Sequence, residues 1–301
     1  MEFLLVYFPV SGVETYAFIP PLVAFTISFF TSMAGISGAF LLLPFQMSIL
    51  GFTTPAVSST NFLYNVSATP GGVYRYAKER RFAWPVALLI LAGMIPGVLI
   101  GYFIRVAYFP DPKTFKLFVG LVLLTIAFKL LRETRTNKAN SDDTTCTPDD
   151  RVENAAIGMT RTRFDFNGSG YTFSTGALLG LALGVGVIGG IYGIGGGSII
   201  APFLITFFRL PVYAVAGAVL LGTFASSAAG VTFYSLVPIK GLTATPDWLL
   251  GFLFGAGGLL GMYCGAKMQM RVSEKWIKFI LGSVILIVAS RYIFRFFSIL
   301  T

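Results

Sequence analysis

One short stretch constrains the fold most, because it places helix-breaking residues inside strongly apolar sequence. Residues 193–202 read GIGGGSIIAP, with GALLGLALGVGVIGGIY before them and FLITFF after them. A helix is the usual way through an apolar region of this length. Three consecutive glycines and a proline make an uninterrupted helix costly here. The sequence therefore predicts a helix that is broken within this stretch.

The same irregularity occurs earlier, where residues 35–44 read GISGAFLLLP. The two glycine starts and the two prolines are each 158 residues apart (193 − 35 and 202 − 44). Residues 56–76 align with 214–234 at that separation without a gap. Further pairs follow at 164 residues: Trp84 with Trp248, Gly93 with Gly257, Gly97 with Gly261, and Gly101 with Gly265. A repeat preserved in this order indicates two homologous halves.

The composition places the chain among membrane proteins. It is 55% hydrophobic and 12% charged, with a mean hydropathy of +0.78, whereas soluble domains carry about 25% charged residues. Apolar segments occur at about 17–34, 36–51, 54–76, 83–107 and 113–132, and again at 173–192, 194–208, 212–237, 247–268 and 275–299. We expect an all-α polytopic membrane protein whose glycine-rich helices are broken near the bilayer midplane.

Three domains follow from this pattern: a first membrane repeat at 1–132, a polar cytoplasmic linker at 133–172, and a second membrane repeat at 173–301. The composition of the linker is typical of a solvated and partly disordered segment.

The distribution of basic residues indicates how the halves are oriented. One loop of the first half is strongly basic and contains Arg75, Lys78, Arg80 and Arg81. The corresponding loop of the second half contains only Lys240, whereas the Lys267–Lys278 loop is again strongly basic. Under the positive-inside rule this favours inverted repeats, with both dense loops and the linker inside and both termini outside. Inversion requires an odd number of crossings per half, from five segments or from three plus a re-entrant pair.

A helix broken at membrane depth has functional consequences. The second half-helix begins with unpaired N–H groups and a partial positive charge, which suit an anion, and successive glycines can form a nest around it. Two such ends could converge near the midplane. The predicted substrate-binding residues are Ser37, Gly38, Ala39, Asn61, Asn65, Gly195, Gly196, Gly197, Ser198 and Thr223. The alternative is structural: the glycines permit close helix packing, and the polar side chains form interhelical hydrogen bonds.

Several function classes are disfavoured by what the sequence lacks. There is no histidine, and no Asp or Glu falls inside a predicted span, which argues against cation substrates, proton relays and an intramembrane enzyme. No metal site or cofactor is predicted. Despite the net charge of +9, the basic residues cluster at segment ends, which indicates contact with lipid headgroups rather than nucleic acid. Arg105, Lys129, Lys267 and Arg291 are accordingly expected to snorkel to the membrane surface.

These residues resemble the TauE/SafE family of membrane transporters over nearly the whole chain outside the linker. The family pattern is a glycine-rich stretch ending in Pro, then Ala-Val with small hydroxyl residues, then a Gly/Asp-Trp segment, once per half. The second copy of this pattern is matched by residues 193–202, Ala214-Val215 and Asp247-Trp248. The first copy is matched by residues 35–44 and 56–60. Ser37 and Ala39 replace family glycines, and Ala216-Gly217-Ala218 stands where the family often has Gly-Thr-Ser.

The resemblance implies transport of sulfite or organosulfonates, commonly outward across the bacterial plasma membrane. We therefore expect a secondary transporter of bacterial or archaeal plasma membranes that exports a small sulfur-containing anion by alternating access. Its expected partners are this small anion and the lipid bilayer. An importer of organosulfonates or other organic anions and an anion channel are the alternatives, and a membrane scaffold without transport activity is a third.

Overall fold

The computed structural model describes residues 5–33, 36–78, 82–109, 111–136, 152–237, 244–268 and 274–297. These residues form mostly helices, together with a few short strands. In chain order the elements are β1 (Leu5–Phe8), β2 (Val13–Tyr16), α1 (Ile19–Met33), α2 (Ala39–Ser48), α3 (Ala56–Lys78), α4 (Trp84–Tyr108), α5 (Pro112–Thr136), β3 (Val152–Ile157), β4 (Arg161–Phe166), β5 (Ser169–Ser174), α6 (Thr175–Tyr192), α7 (Gly197–Thr206), α8 (Val212–Leu236), α9 (Trp248–Met268) and α10 (Glu274–Phe297).

Within the described residues, four helices are long and apolar enough to cross a membrane. They are Trp84–Tyr108, Thr175–Tyr192, Ala214–Leu236 and Trp248–Met268. The helices α2 and α7 have ten residues each, so each is about 15 Å long, roughly half the thickness of the hydrocarbon core. The chain thus has the build of a multi-pass membrane protein that combines long helices with short ones.

The strands correct the expectation of an all-α fold. β1 pairs with β2, and β3, β4 and β5 form an antiparallel sheet. Glu133–Thr136 also continues α5, so the predicted linker at 133–172 has regular structure at both of its ends. Residues 137–151 lie outside the described residues.

The β4–β5 hairpin forms because its sequence carries a strong turn signal. Asn167 (φ 50°) and Gly168 (φ 70°) connect the strands, and Asn-Gly favours this two-residue turn with both residues at positive φ. In β4, Thr162, Phe164 and Phe166 are buried while Arg161 and Arg163 are exposed. This alternation gives the sheet one apolar face.

Two rows of glycines allow pairs of helices to pack closely. Gly93, Gly97 and Gly101 of α4 face the backbone of α6, and Gly257, Gly261 and Gly265 of α9 face the backbone of α1. A Cβ atom at Gly97 would lie only 2.5 Å from the carbonyl oxygen of Leu183. The first helix of each half therefore packs against the fourth helix of the other half.

The contacts also define the relative directions of these helices. α1 and α9 are parallel, since Gly257, Gly261 and Gly265 of α9 contact, in the same order, Pro21, Phe25 and Phe29 of α1. α4 and α6 are parallel for the same reason, since Gly93, Gly97 and Gly101 of α4 contact, in order, Leu179, Leu183 and Val187 of α6. α3 is parallel to α9, with Leu63, Ser67 and Gly71 beside Gly251, Gly255 and Leu259. α3 is antiparallel to α8, with Phe62, Gly72 and Tyr76 beside Gly230, Leu220 and Gly217.

Candidate functional site

The chain leaves helical geometry between α6 and α7. Gly193 (φ 86°), Gly195 (φ 67°) and Gly196 (φ 76°) all adopt left-handed backbone conformations, which glycine tolerates because it has no Cβ. The N–H groups of Gly193 and Ile194 both donate to the carbonyl oxygen of Gly189, at 2.8 and 3.1 Å, and so end α6. We call residues 193–198 the second glycine segment.

The second glycine segment presents several unpaired donors. Helical hydrogen bonding in α7 begins with Ile199 and Ile200, whose N–H groups both donate to the carbonyl oxygen of Gly196 at 3.0 Å. The four preceding N–H groups, from Gly195 to Ser198, have no acceptor within the described ranges. Because α7 starts here, these donors coincide with the positive end of a helix dipole.

Buried hydroxyl groups without partners lie around the same segment. The Oγ atoms of Ser198, Ser227 and Ser58 are buried and form no hydrogen bond with the described part of the chain. A Cβ on Gly195 would contact Ser227 Oγ, and one on Gly193 would lie 2.6 Å from the Cα of Ser58. A buried polar group without a partner is uncommon in a folded protein, so these hydroxyls point to a polar ligand.

Asn61 and Asn65 of α3 hold the two glycine-rich stretches together. The amide of Asn61 donates to the carbonyl oxygens of Ala39 (3.0 Å) and Gly193 (2.8 Å). The amide of Asn65 donates to Ile194 O at 3.1 Å, and its Oδ1 accepts a hydrogen bond from the Ser37 hydroxyl. In this conformation both side chains contribute by positioning the two segments.

The first glycine-rich stretch is more fully paired. Gly35 lies outside the described residues. Ser37 Oγ accepts the N–H of Ala39 at 3.2 Å, and the N–H groups of Leu41 and Leu42 donate to Gly38 O at 3.0 Å. Gly38 lies against Ile27, Thr31 and Tyr64, where a Cβ atom would not fit. The Ser37 hydroxyl is thus committed within the protein, unlike that of Ser198.

Helix α8 provides the other wall of the second segment. Thr223 Oγ1 donates to Val219 O at 2.9 Å and lies where a Cβ on Gly197 would be. Ser226 Oγ donates to Gly195 O at 2.8 Å. The structure therefore brings Thr223 together with Gly195, Gly197 and Ser198, and connects them to Ser37, Gly38 and Ala39 through the asparagines.

Sequence reasoning interpreted several polar residues of this region as structural. Ser58, Ser226 and Ser227 lie in the repeated third segment of each half, where such hydroxyls were expected to form interhelical hydrogen bonds rather than to bind a ligand. Arg105 was expected to snorkel, but its side chain is fully buried, which corrects that expectation. The reason is that α5 and α8 enclose it: its guanidinium stacks over Phe115 at 3.7 Å and interacts electrostatically with Tyr234.

A cavity of about 350 Å³ lies beside the second segment, between α5, α6 and α7. Its lining is apolar except for Thr125 and Lys129, and the Lys129 ammonium lies over the ring of Phe203. Such a lining does not suit a small oxyanion, which needs several hydrogen-bond donors.

Comparison with known proteins identifies the family of this chain. The family model described as sulfite exporter TauE/SafE matches residues 21–292. The chain is also similar to a Bacillus subtilis (strain 168) protein named probable membrane transporter protein YunE. The two are 24% identical over 273 residues, which cover 88% of this chain and 92% of the relative. No solved structure matches this chain. The protein therefore belongs to the TauE/SafE family of membrane transporters.

Proposed function

We propose that this protein is a secondary transporter that exports a small sulfur-containing anion, sulfite or an organosulfonate, across the plasma membrane. One observation carries the proposal: within the described part of the chain, the N–H groups of Gly195–Ser198 and the Ser198 hydroxyl are unpaired, and the unpaired Ser227 hydroxyl lies beside Gly195. A set composed of donors at the start of a helix favours an anion over a cation.

The chemistry of the donors favours a compact oxyanion. Glycine lets the backbone approach closely, so several N–H groups can reach different oxygens of one ligand. The buried carboxylate of the described residues, Asp247, accepts hydrogen bonds from Ser11 and from the N–H of Leu250. It is therefore committed elsewhere and does not oppose an anion. The choice of sulfur anions and of export rests on membership of the sulfite exporter TauE/SafE family.

We infer that the two halves are inverted repeats. By the sequence repeat, α3 of the first half corresponds to α8 of the second half, and these two helices are antiparallel. α1, α3 and α9 run in one direction, and α6 is parallel to α4. These directions support a second half with the opposite orientation. Inverted repeats can exchange conformations, which opens a central site to one side of the membrane and then the other.

Export of an anion needs no coupled cation. With the cell interior negative, outward movement of a monoanion is favoured by about 2.3 kcal/mol per 100 mV, and that of a dianion by about twice as much. We therefore expect electrogenic export that stops when the membrane potential is collapsed.

The test is flux of sulfite, sulfate, thiosulfate and methanesulfonate in proteoliposomes with an imposed potential. Ser198→Ala removes one unpaired hydroxyl without breaking a hydrogen bond of the protein, so we expect normal folding and at least about tenfold weaker apparent affinity. Ser283→Ala in α10 is the matched control, since Ser283 lies in the last helix rather than at the segment.

The outcomes separate the hypotheses. Saturable, voltage-sensitive flux of one sulfur anion that Ser198→Ala weakens supports the proposal. Flux that does not saturate indicates a channel, and flux that requires an inward ion gradient indicates an importer. The absence of flux for every anion overturns the proposed function.

A further inference from the structure

The guanidinium of Arg105 is a buried cation that the proposed site does not use. Its side chain is fully buried in the last turn of α4. Its electrostatic neighbour among the described residues is the phenol of Tyr234, and no described carboxylate faces it. A buried charge without a counter-charge is expensive to maintain, so its presence needs an explanation.

One edge of the guanidinium is occupied and the other is free. Nη1 donates to the carbonyl oxygen of Phe109, and the face of the group stacks over Phe115 at 3.7 Å. Nε and Nη2 are buried and have no hydrogen-bond partner in the described part of the chain. These two nitrogens share one edge of the planar group, and their N–H bonds can bind two oxygens of an oxyanion at once.

The matching helix of the second half, α9, shows that a basic residue near a helix end need not be buried. α9 also has a basic residue in its last turn, Lys267, but that side chain is exposed. A basic group that only stabilises a helix C-terminus or contacts headgroups can remain exposed in this way. Arg105 differs from Lys267 in being buried, and burial is what strengthens binding of an anion.

Polar groups connect Arg105 to the second glycine segment. Tyr234 donates a hydrogen bond to Gly190 O at 3.3 Å, just before that segment. The Ser58 side chain lies next to the Tyr234 hydroxyl, and the Cα of Ser58 packs against Gly193. The Ser58 hydroxyl has no hydrogen bond of ordinary geometry within the described part of the chain. Tyr234 and Ser58 therefore link the surroundings of Arg105 to the second glycine segment.

We propose that Arg105, with Ser58 and Tyr234, forms a second binding site for the transported oxyanion, which the anion occupies on its way to or from the second glycine segment. This inference rests on the proposed function. The ligand class is a small sulfur oxyanion with at least two oxygens free for the guanidinium edge. Arg105 then sets affinity and selects against anions that lack a second oxygen.

The experiment compares Arg105→Met, Arg105→Lys and the matched control Lys267→Met in the full chain. Sulfite and methanesulfonate flux is measured in proteoliposomes, and the melting temperature of the purified protein is measured with and without each anion. We expect Arg105→Met to raise the half-saturating anion concentration at least about tenfold. It should also lose the anion-dependent rise in melting temperature. Lys267→Met should resemble the wild type.

The melting temperature without anion distinguishes a binding role from a structural one. If Arg105 binds the anion, its replacement removes an unpaired buried charge, so the anion-free melting temperature should not fall. A marked fall with unchanged half-saturation in the folded protein would overturn the inference. Arg105→Lys keeps the charge but loses the two-nitrogen edge, so wild-type affinity in this variant would also overturn it.

The experiment distinguishes failure of this inference from failure of the proposed function. The wild-type flux could be saturable and weakened by Ser198→Ala, yet unchanged by Arg105→Met and Arg105→Lys. This result would refute the second binding site and leave the proposed function standing. Absence of flux in the wild type would remove both proposals.

Discussion

Gly197 is a residue at which α7 packs tightly against α8. A Cβ there would coincide with Thr223 Oγ1 and lie 3.3 Å from Val219 Cγ1. We therefore predict that Gly197→Ala destabilises the protein by about 1–3 kcal/mol, the usual cost of overpacking, and abolishes transport. Thermal unfolding and flux measure these two effects.

The control for this prediction is Gly180→Ala in α6. A Cβ at Gly180 meets no atom within 4 Å, so alanine should raise stability by about 0.5–1 kcal/mol. The double variant Gly197→Ala/Thr223→Ala should regain part of the lost stability, because the colliding hydroxyl is removed. Equal effects of Gly197→Ala and Gly180→Ala would contradict the steric explanation.

Asn61 gives a second prediction at this scale. Replacing it with alanine removes three hydrogen bonds between buried groups, those of its side chain with the carbonyl oxygens of Ala39 and Gly193 and with the amide of Gln46. We expect a loss of about 2 kcal/mol in unfolding free energy, measured by denaturation in mixed micelles. Thr232→Ala is the control, since that hydroxyl bonds only the carbonyl oxygen of Ala228 in its own helix. A loss no larger than the control's would refute the positioning role.

The sequence predicted some of these residues better than others. Asn61 and Asn65 stood out because an amide inside an apolar helix must find a partner, and the structure shows those partners. Arg105 could not be recognised as buried, because it lies near the end of an apolar segment, as the exposed Lys267 also does. Only the packing of α5 and α8 distinguishes the two.

At the scale of elements, the glycine rows of α4 and α9 lead to a paired prediction. Gly97→Leu and Gly261→Leu each place a large side chain against the backbone of a neighbouring helix, α6 and α1 respectively. Both should destabilise the protein by about 3 kcal/mol or more, and to a similar extent. Gly184→Leu is the control, since a Cβ at Gly184 meets nothing within 4 Å. The free energy of unfolding of the three variants is compared under one set of conditions. A small effect of Gly97→Leu or of Gly261→Leu would contradict the prediction.

The sequence predicted most of the helices but not the strands. The spacing of Gly93, Gly97 and Gly101 recurs in the second half, and this repeat identified the two packing faces, though not the helices that cover them. Asn167-Gly168 between alternating residues was a readable hairpin signal. It was overlooked because the polar composition of 133–172 was interpreted as a linker. The partners of each helix could not be predicted, since they depend on contacts between residues far apart in the chain.

At the scale of the whole molecule, the proposed inversion makes a prediction about membrane topology. An odd number of crossings in the first half places β1 and the β3–β5 sheet on opposite sides of the membrane. Single cysteines can test this in a Cys146→Ser/Cys264→Ala background. Suitable positions are Tyr7, which is 63% exposed, and Met159, which is fully exposed. We expect a membrane-impermeant maleimide to label Tyr7→Cys in intact cells and Met159→Cys only after permeabilisation.

Lys78→Cys, at the exposed end of α3, adds a third position to this test. It should behave like Met159→Cys, because the positive-inside rule places both the basic loop after α3 and the sheet in the cytoplasm. Labelling of Tyr7→Cys and Met159→Cys on the same side would mean an even number of crossings. The halves would then share one orientation, and exchange of conformations between inverted repeats could not explain alternating access. Labelling on opposite sides, with Lys78→Cys inside, would place the start of α4 in the cytoplasm. Arg105, near the other end of α4, would then lie toward the outer face, where an exported anion leaves.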